Sequence, residues 1–445
     1  MIKPQPYLLK NTIQHYEWGT KGNNAFIPQL LNIKSKKDKP YAELWMGAHP
    51  KSPSRIIVDG SELYLDEVIR QHPQETLGSK ISKKFSNTLP FLFKVLSANE
   101  ALSIQVHPHK RQAITLHKKD PENYPDDNHK LEIAIALDSL TALVGFKPYS
   151  QIIKTLMEYP EIREFIGEKY MRLSEKRHSE FISESQNLIS VQSQMLKPVH
   201  HDIFNLLRLP HGDSLSNDDK KKFVKNIFTR LLKKSISDEE TLASTIQALF
   251  ERLMKKKNPT EIEKQFIELF GKYKNDIGVL IIFFLNFVHL KRGEAIFTKP
   301  GVPHAYLKGN ILECMSSSDN VIRAGLTPKY KDLITLLNVL TFEPASPQIL
   351  KGKKIRTNVV YKTEAKEFVI NLYNTGKKNI DFKDQSGPRI LLVFEGVIKF
   401  IIGDNGKNKQ FEFSKGDSVF LPSILHNFQI ASESKAHFVI VSVPA

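Results

Sequence analysis

Short apolar runs alternate with polar residues at both ends of the chain. In residues 1–148 such runs are separated by turn-forming residues, and a period of two predicts β-strands. The last hundred residues alternate most tightly, which predicts a compact all-β unit with hairpin turns, one of them at Asp404-Asn405-Gly406. The chain therefore reads as mainly β at its two ends.

Residues 149–276 follow a different pattern, with apolar positions three or four residues apart, which predicts helices. Ser237 to Glu240 resembles a capping box that opens one helix, and Thr260 opens the next. The Ser-rich stretch at 178–194 fits a loop or a weak helix. The apolar run at 277–290 is shorter than the roughly 20 residues needed to cross a bilayer, and we expect it to be buried core.

Composition limits the chemistry that is open to this chain. Its 445 residues include 64 Lys and Arg and 48 Asp and Glu, a net charge of +16, but the lysine runs are flanked by acids and predict a solvated helix surface, with no nucleic-acid partner. The single cysteine, Cys314, excludes an intramolecular disulfide and a cysteine-based zinc or iron–sulfur site. No export signal is visible at the start, so we expect a cytoplasmic protein without membrane contact.

Two predicted strands each carry polar residues on one face. In LSIQVHPHK, alternation places Ser103, Gln105 and His107 on the same side. In HKLEIAIAL, it places Lys130 and Glu132 on one side, followed by two alanines that leave room for a ligand. Taken alone, the first pattern is better explained by polar residues on a wet strand face, and the second by an exposed Lys/Glu pair on an edge strand.

A third segment, GEAIFTKPGVPHAYLKGN, contains the spacing Gly…Pro-Gly-x-x-His. Gly and Pro build a tight turn, which presents His304 at the mouth of a strand. This pattern resembles the second motif of cupin barrels, in which that histidine is a metal ligand. By the same resemblance Gln105, His107 and Glu132 take the positions of the first cupin motif. Two imidazoles and two oxygens suit a divalent cation such as zinc, one per chain.

A fourth segment, ECMSSSDNVIRAGLTPKYKD, begins nine residues after His304 and carries Asp319, Arg323 and Lys329. Alone it would be read as surface ion pairing. Beside a metal ion the same residues would line one side of the pocket and bind an anionic group.

Together the four segments resemble type I mannose-6-phosphate isomerases, a family of zinc-dependent cupin enzymes. The resemblance is weak over 149–275, and this chain has Leu131 where the family usually has Pro, and His109 where it often has Asn or Asp. The matching stretches are IQHYEWG near the start, AELWMGAHP at 42–50, PFLFKVLSANEALSIQVHPHK at 90–110, NHKLEIAIAL at 128–137, and DIGVL through TPKYKD at 276–332.

The resemblance implies a bicupin, mainly β with an α insertion. The catalytic cupin domain would combine residues 1–148 and 277–345, a helical domain would span 149–276, and a second cupin-like domain without metal would span 346–445. In that last domain we expect His426 to be structural. His200 and His201 are expected at the surface, and Cys314 is expected to be a buried, neutral thiol.

The implied reaction is the reversible isomerisation of D-mannose 6-phosphate and D-fructose 6-phosphate through an enediol(ate), serving mannose use or GDP-mannose synthesis. Zinc and Arg323 would stabilise the oxyanion, and Arg cannot be the base because it is always protonated. Lys130, Asp319 and a zinc-bound water remain alternatives for the proton carrier. Ser103, Lys94 and Lys130 match the family's substrate pocket, and Lys329 is a further candidate for the phosphate.

Two rival functions remain open at this point. One is another metal-dependent cupin enzyme such as an iron oxygenase, which Gln105 in place of a histidine disfavours. The other is a non-catalytic sugar-phosphate-binding cupin, which would not need Lys130, Asp319 and Arg323 together. For the isomerase we expect a monomer whose partner is a small sugar phosphate.

Overall fold

The computed structural model describes residues 1–167, 215–376, 379–404 and 407–444. Strands occupy both ends of the chain and helices the middle, so the fold is mainly β with an α insertion, as the alternation predicted. The 178–194 stretch, His200, His201 and the centre of the 404–406 turn lie outside the described residues. Among the described helices, none has the length and apolar character needed to cross a membrane.

The described strands follow the chain order. They are β1 (Tyr7–Leu8), β2 (Thr12–Gln14), β3 (Glu43–Met46), β4 (Arg55–Val58), β5 (Ser61–Tyr64), β6 (Phe91–Ala98), β7 (Ile104–Val106), β8 (Glu132–Phe146), β9 (Leu285–Leu290), β10 (Glu294–Thr298), β11 (His304–Ser316), β12 (Ile322–Gly325), β13 (Ile349–Lys351), β14 (Lys353–Ile355), β15 (Asn358–Tyr361), β16 (Val369–Thr375), β17 (Ile380–Phe382), β18 (Arg389–Glu395), β19 (Val397–Asp404), β20 (Lys407–Ser414), β21 (Ser418–Leu421), β22 (Phe428–Ala431) and β23 (Ala436–Ser442).

The described helices are mostly short outside the insertion. They are α1 (Phe26–Leu31), α2 (Leu65–Gln71), α3 (Pro73–Leu77), α4 (Ser79–Lys84), α5 (Lys110–Lys119), α6 (Tyr149–Glu158), α7 (Pro160–Ile166), α8 (Asn217–Ser237), α9 (Glu239–Met254), α10 (Glu261–Tyr273), α11 (Gly278–Ile281) and α12 (Leu333–Val339), with 3-10 turns at Gly22–Asn24 and Ile282–Phe284.

The large sheet holds ten strands and carries the predicted site. Its main path runs β13-β10-β8-β11-β6-β3-β2, with β9 paired to β8, and with β7 joined to both β11 and β12. All these pairs are antiparallel. Alternation along β8 sends Ile133 and Ile135 into one apolar core and Ala134 and Ala136 into another, so the two faces of this strand are separated as the sequence predicted.

Two further sheets form the carboxyl-terminal β unit. The seven-stranded sheet has the order β1-β21-β18-β23-β16-β15-β14, and the four-stranded sheet has the order β17-β22-β19-β20. Aromatic rings fill the space between them, with Phe382 and Phe400 stacked on either side of Phe428 at centroid distances of 4.5 and 4.6 Å. His426 is exposed and its Nδ1 lies 2.8 Å from the carbonyl oxygen of Gln385.

Strand pairing crosses the expected domain boundaries at two places. β1 belongs to the amino-terminal region but pairs with β21 of the seven-stranded sheet, and β13 follows residue 346 but pairs with β10 of the large sheet. One apolar core lies between these two sheets and contains side chains from both of them, and Cys314 is buried in it. The division at 148, 276 and 346 stays a prediction, and the two β units exchange short strands across it.

The helical insertion packs on the large sheet through a continuous core. Phe228 of α8 and Phe266 of α10 are fully buried with residues of β7, β8 and the 277–284 run, which is core as predicted. The capping-box prediction was wrong in one respect, because Ser237 ends α8 and the cap of α9 is Asp238, whose side chain accepts from the Thr241 N–H. Thr260 caps α10 as predicted, with Glu263 completing the box.

The Pro-Gly turn before His304 depends on a glycine that no larger residue can replace without strain. Gly301 has φ +79°, and a Cβ there would lie 2.6 Å from Cγ2 of Thr341 and 2.9 Å from the Val339 carbonyl oxygen. Its carbonyl oxygen also accepts the Thr341 N–H. This close approach joins the turn to the segment after α12, and it fixes the point at which β11 begins with His304.

We therefore expect Gly301→Ala to destabilise the protein more than Gly60→Ala does. Both glycines have positive φ, but a Cβ at Gly60 would meet nothing within 4 Å, so the matched variant reports backbone strain alone. Overpacking should add about 1–3 kcal/mol to the loss of unfolding free energy at Gly301. Urea-induced unfolding of the two variants measures the difference, and equal losses would contradict this account of the turn.

Candidate metal centre and active site

Three adjacent strands of the large sheet place Gln105, His304 and Arg323 side by side. In the antiparallel register Gln105 of β7 lies opposite His304 of β11 on one side and opposite Arg323 of β12 on the other. Directly opposed residues point to the same face of a sheet. The local pairing of three short strands thus brings residues from distant parts of the chain to one surface.

The four predicted metal ligands lie together. Glu132 Oε2 is 3.4 Å from His107 Nε2 and 3.1 Å from His304 Nε2. His304 Nε2 is also 3.3 Å from the amide nitrogen of Gln105. His107, Glu132 and His304 are buried, and one ligand atom from each lies within 4.8 Å of the others. Among the described residues this is the one group of three such side chains close enough to share an ion.

Each histidine is held through its outer ring nitrogen. His107 Nδ1 is 2.8 Å from the carbonyl oxygen of Asn320, and His304 Nδ1 is 3.0 Å from that of Val302. A carbonyl oxygen only accepts, so each Nδ1 carries the hydrogen and donates it. Each Nε2 then presents its lone pair to the centre, which is the arrangement of a metal-bound imidazole with its supporting hydrogen bond.

The atoms that face the centre lack partners of their own. His107 Nε2 and Glu132 Oε2 are buried and accept no hydrogen bond within the described chain. Buried polar groups of this kind are costly unless a ligand satisfies them. A divalent cation would satisfy both, and the Gln105 amide can turn its oxygen inward, since its nitrogen and oxygen are exchanged by a simple flip. The donor set therefore fits a metal ion.

Burial and charge set the protonation states at the centre. Burial lowers the pKa of His107 to about 4, so the ring is neutral and can act as a ligand at neutral pH. Burial raises the pKa of Glu132, but His107 and Lys130 lower it more, and the net pKa is well below its usual value. Lys130 Nζ lies 3.2 Å from Glu132 Oε1. The Glu132 carboxylate therefore contacts Lys130 with Oε1 and faces the centre with Oε2.

Asp319 is held by two basic residues that the sequence reasoning did not single out. Its carboxylate lies 3.0 Å from Lys51 Nζ and 3.6 Å from His49 Nε2. His49 is almost fully buried, with its ring edge-on to Trp45 at 5.1 Å, and burial lowers its pKa. Both lie in or beside the stretch AELWMGAHP, which was quoted for its resemblance but not for a role. A histidine at the end of a hydrophobic strand was the available signal.

Arg323 has no ion pair or hydrogen-bond partner for its side chain within the described residues. It is half-buried, and burial lowers its pKa from the usual value without bringing it near neutrality. An unpaired guanidinium beside Gln105 and His304 leaves an uncompensated positive charge on the ligand face. Such a group is suited to an anionic ligand atom.

The three proposed phosphate contacts differ in their surroundings. Ser103 is partly buried directly before β7, and Lys329 is exposed. Lys94 is buried, 3.1 Å from Glu313 and 3.6 Å from Glu43. Burial opposes its charge, but the two carboxylates outweigh that effect and raise its pKa. The charge of Lys94 is therefore already balanced, unlike that of Lys329.

Comparison with known proteins shows which family this chain resembles over most of its length. Residues 7–149 match the family model described as phosphomannose isomerase type I, catalytic domain. The mannose-6-phosphate isomerase of Cryptococcus neoformans is 35% identical, covering 94% of this chain and 95% of that protein. The human mannose-6-phosphate isomerase is 38% identical, covering 78% of this chain and 75% of that protein.

Solved structures extend the likeness to the whole fold. A zinc-bound mannose 6-phosphate isomerase superposes with a TM-score of 0.77 at 28% identity, covering 99% of this chain and 100% of that one. A mutant phosphomannose isomerase from Salmonella typhimurium gives a TM-score of 0.77 at 27% identity with the same coverage. The chain belongs to the family of type I mannose-6-phosphate isomerases.

Proposed function

We propose that this protein interconverts D-mannose 6-phosphate and D-fructose 6-phosphate by proton transfer between C1 and C2 through an enediol(ate). Gln105, His107, Glu132 and His304 would hold one zinc ion per chain beside the bound sugar. The observation that carries the proposal is the convergence of buried, partnerless His107 Nε2 and Glu132 Oε2 on one point beside an unpaired Arg323. Family membership supplies the substrate.

The centre divides the chemistry between the ion and the chain. When bound, zinc supplies a Lewis acid that polarises a sugar oxygen. Gln105 is neutral and Glu132 is the one anionic ligand, so the ligand set leaves net positive charge facing the substrate. Arg323 adds a fixed positive charge on the same face, where it stabilises negative charge on the enediolate oxygen.

Asp319 and Lys130 are suited to opposite halves of the proton transfer. A carboxylate ordinarily lacks its proton at neutral pH, and Asp319 is held in place by Lys51 and His49, so it is suited to accept one. The Lys130 side chain offers N–H donors, and its ion pair with Glu132 holds it beside the centre. We assign Asp319 as acceptor and Lys130 as donor.

The phosphate requires positive charge that is not already balanced. Lys329 is exposed and makes no side-chain ion pair within the described chain, so it is the stronger contact, with Ser103 as a hydroxyl donor. Lys94 sits between Glu43 and Glu313 and acts on the pocket mainly through that network. Because these roles concern a small sugar phosphate, the proposal includes no nucleic-acid partner.

The remaining parts of the proposal concern organisation and setting. We propose a bicupin with a catalytic domain of residues 1–148 and 277–345, a helical domain at 149–276, and a metal-free cupin-like domain at 346–445. A monomeric state and a cytoplasmic location belong to the same proposal. The free, buried Cys314 is in keeping with a reducing compartment.

A coupled assay with and without a chelator tests the function directly. We expect conversion of mannose 6-phosphate to fructose 6-phosphate, loss of activity after complete metal removal, and recovery when zinc is added back. Activity that survives metal removal would overturn the proposed centre. Tight binding of sugar phosphate without turnover would favour the non-catalytic cupin instead, and iron content with oxygen consumption would favour an oxygenase.

Two substitutions separate metal binding from the chemical step. Glu132→Ala removes the one anionic ligand, so we expect loss of both bound zinc and turnover. Arg323→Ala removes the oxyanion partner but no ligand, so zinc content should stay while kcat falls by about 10²–10³-fold. Metal analysis beside steady-state kinetics measures both. If Arg323→Ala keeps its kcat, or Glu132→Ala keeps its zinc, the corresponding role is refuted.

A further inference from the structure

A large cavity lies between the outer face of the large sheet and the seven-stranded sheet. Its volume is about 700 Å³. Ile135 and Leu137 of β8 and Leu312 of β11 form one side, while Tyr373 of β16 and Phe438 of β23 form part of the other. The walls are mainly aliphatic and aromatic, and both size and lining are those of small-molecule sites. None of the proposed metal ligands or substrate contacts lines this cavity.

One polar atom in the cavity wall lacks a partner. His437 donates from Nδ1 to Glu395, at 3.0 Å from its carboxylate, which leaves the Nε2 lone pair free. Nε2 is buried and makes no hydrogen bond within the described chain. The ring is neutral at pH 7, because burial lowers the pKa of His437 below its usual value. The neutral His437 ring therefore adds no positive charge to the cavity lining.

Three cations border the same cavity. Arg292, Lys354 and Lys415 all line it and are exposed, and none of their side chains has an ion pair or hydrogen bond among the described residues. Glu395 also lines it, but Lys435 at 3.7 Å and His437 already pair with this carboxylate. The rim therefore carries uncompensated positive charge around an apolar interior, which is complementary to an anion with an apolar body.

We propose that this inter-sheet cavity binds a small amphipathic anion, a carboxylate or phosphate carried on an aliphatic or aromatic body. The body would occupy the space between Leu312 and Tyr373, and the acidic group would lie against Lys354, Lys415 and Arg292. This site is distinct from the catalytic centre and does not depend on the isomerase activity.

Paired probes and paired variants test the site in the zinc-loaded full-length protein. 1-Anilinonaphthalene-8-sulfonate is anionic, and N-phenyl-1-naphthylamine is its neutral counterpart. Lys354→Glu reverses a charge that lines the cavity, whereas Lys353→Glu makes the same change on the neighbouring exposed residue outside the lining. We expect Lys354→Glu to lower the affinity for the anionic probe roughly three- to tenfold at low salt, with little effect on the affinity for the neutral probe. Lys353→Glu should change neither.

Two competitions locate the probe. Saturating mannose 6-phosphate should not displace it, since the catalytic centre lies elsewhere. Dodecanoate or 1-naphthoate should displace it, and which of them does so shows whether an aliphatic or an aromatic body fits. The proposal is overturned if Lys353→Glu weakens the anionic probe as much as Lys354→Glu, if sugar phosphate displaces it, or if neither acid does.

A separate observation concerns Asp126, which organises the loop beside the metal centre. One carboxylate accepts four hydrogen bonds from that loop and from the segment before β8. The donors are Ser318 Oγ at 2.8 Å, the Asp319 N–H at 2.7 Å, Asn320 Nδ2 at 3.1 Å and the Asn128 N–H at 2.9 Å.

Two of the residues that donate hydrogen bonds to Asp126 are part of the site or contact it directly. The carbonyl oxygen of Asn320 accepts from His107 Nδ1 and thereby fixes the ring whose Nε2 faces the centre. Asp319 is the proposed proton acceptor. Asn320 is fully buried, and its side chain also donates to the carbonyl oxygens of Asp126 and Asn128, at 2.7 and 2.9 Å. These hydrogen bonds therefore restrict the conformation of the loop while the Asp126 carboxylate is in place.

We infer that Asp126 is a positioning residue for the metal centre, acting through Asn320 on His107. The inference rests on the proposed function, since it concerns affinity for the zinc of that site. In Asp126→Asn an amide NH₂ replaces one acceptor oxygen and faces donors, so the loop loses hydrogen bonds at constant volume. Supporting partners of metal ligands typically contribute 10- to 100-fold to affinity.

Zinc affinity measured by chelator competition is the readout. We expect the dissociation constant to rise about 10–100-fold in Asp126→Asn. Asp127→Asn is the matched control, because Asp127 is exposed and Lys110, at 3.0 Å, is its one ion-pair partner in the described part of the chain. The zinc affinity of this variant should be unchanged. Unaltered zinc affinity in Asp126→Asn, with only a lower unfolding temperature of the metal-free protein, would falsify the inference. A wild-type protein that binds no zinc would instead refute the proposed function.

Discussion

Two imidazoles and a carboxylate meet in the interior of the large sheet, and the rest of the site is arranged around that meeting. Taking a carboxylate out of water costs several kcal/mol unless it is paired and hydrogen-bonded. Glu132 meets part of this cost through Lys130 on one oxygen, while its other oxygen faces the Nε2 atoms of His107 and His304 and has no hydrogen-bond partner among the described residues. The arrangement is stable only if both rings keep one orientation, so backbone carbonyls hold their outer nitrogens.

A second buried charge network lies in the same sheet. Lys94 bridges Glu43 and Glu313, and the Trp45 indole N–H donates to Glu43 at 2.5 Å. Burial and the neighbouring carboxylates raise the pKa of Glu313, while Lys94 opposes them. Two acids share one base, so this network does not add positive charge to the pocket. The positive charge left uncompensated on the ligand face belongs to residues that have no such partner in the described part of the chain, above all Arg323.

Short-range spacing predicted most of the longer elements, and motif resemblance proposed the ligand set, whose side chains the structure brings close together. Strand alternation correctly assigned Glu132 and Ile133 to opposite faces of β8, and the Pro-Gly turn correctly predicted that a strand begins at His304. Asp126 and Lys51 were missed because their roles come from contacts between loops that lie far apart in sequence. The exchange of β1 and β13 between sheets was missed for the same reason, since a two- or three-residue strand has no periodicity to detect.

The strand register gives a physical reason for a glutamine among the proposed ligands. Gln105 lies directly opposite both His304 and Arg323, so any charge it carried would act on the metal centre and on the guanidinium at once. A carboxylate there would pair with Arg323 and would add a second negative charge to the ligand set. A neutral amide can offer an oxygen to the ion and leaves Arg323 uncompensated. An uncharged ligand thus preserves the net positive charge of the metal centre and the charge of Arg323 on the face where an enediolate would form.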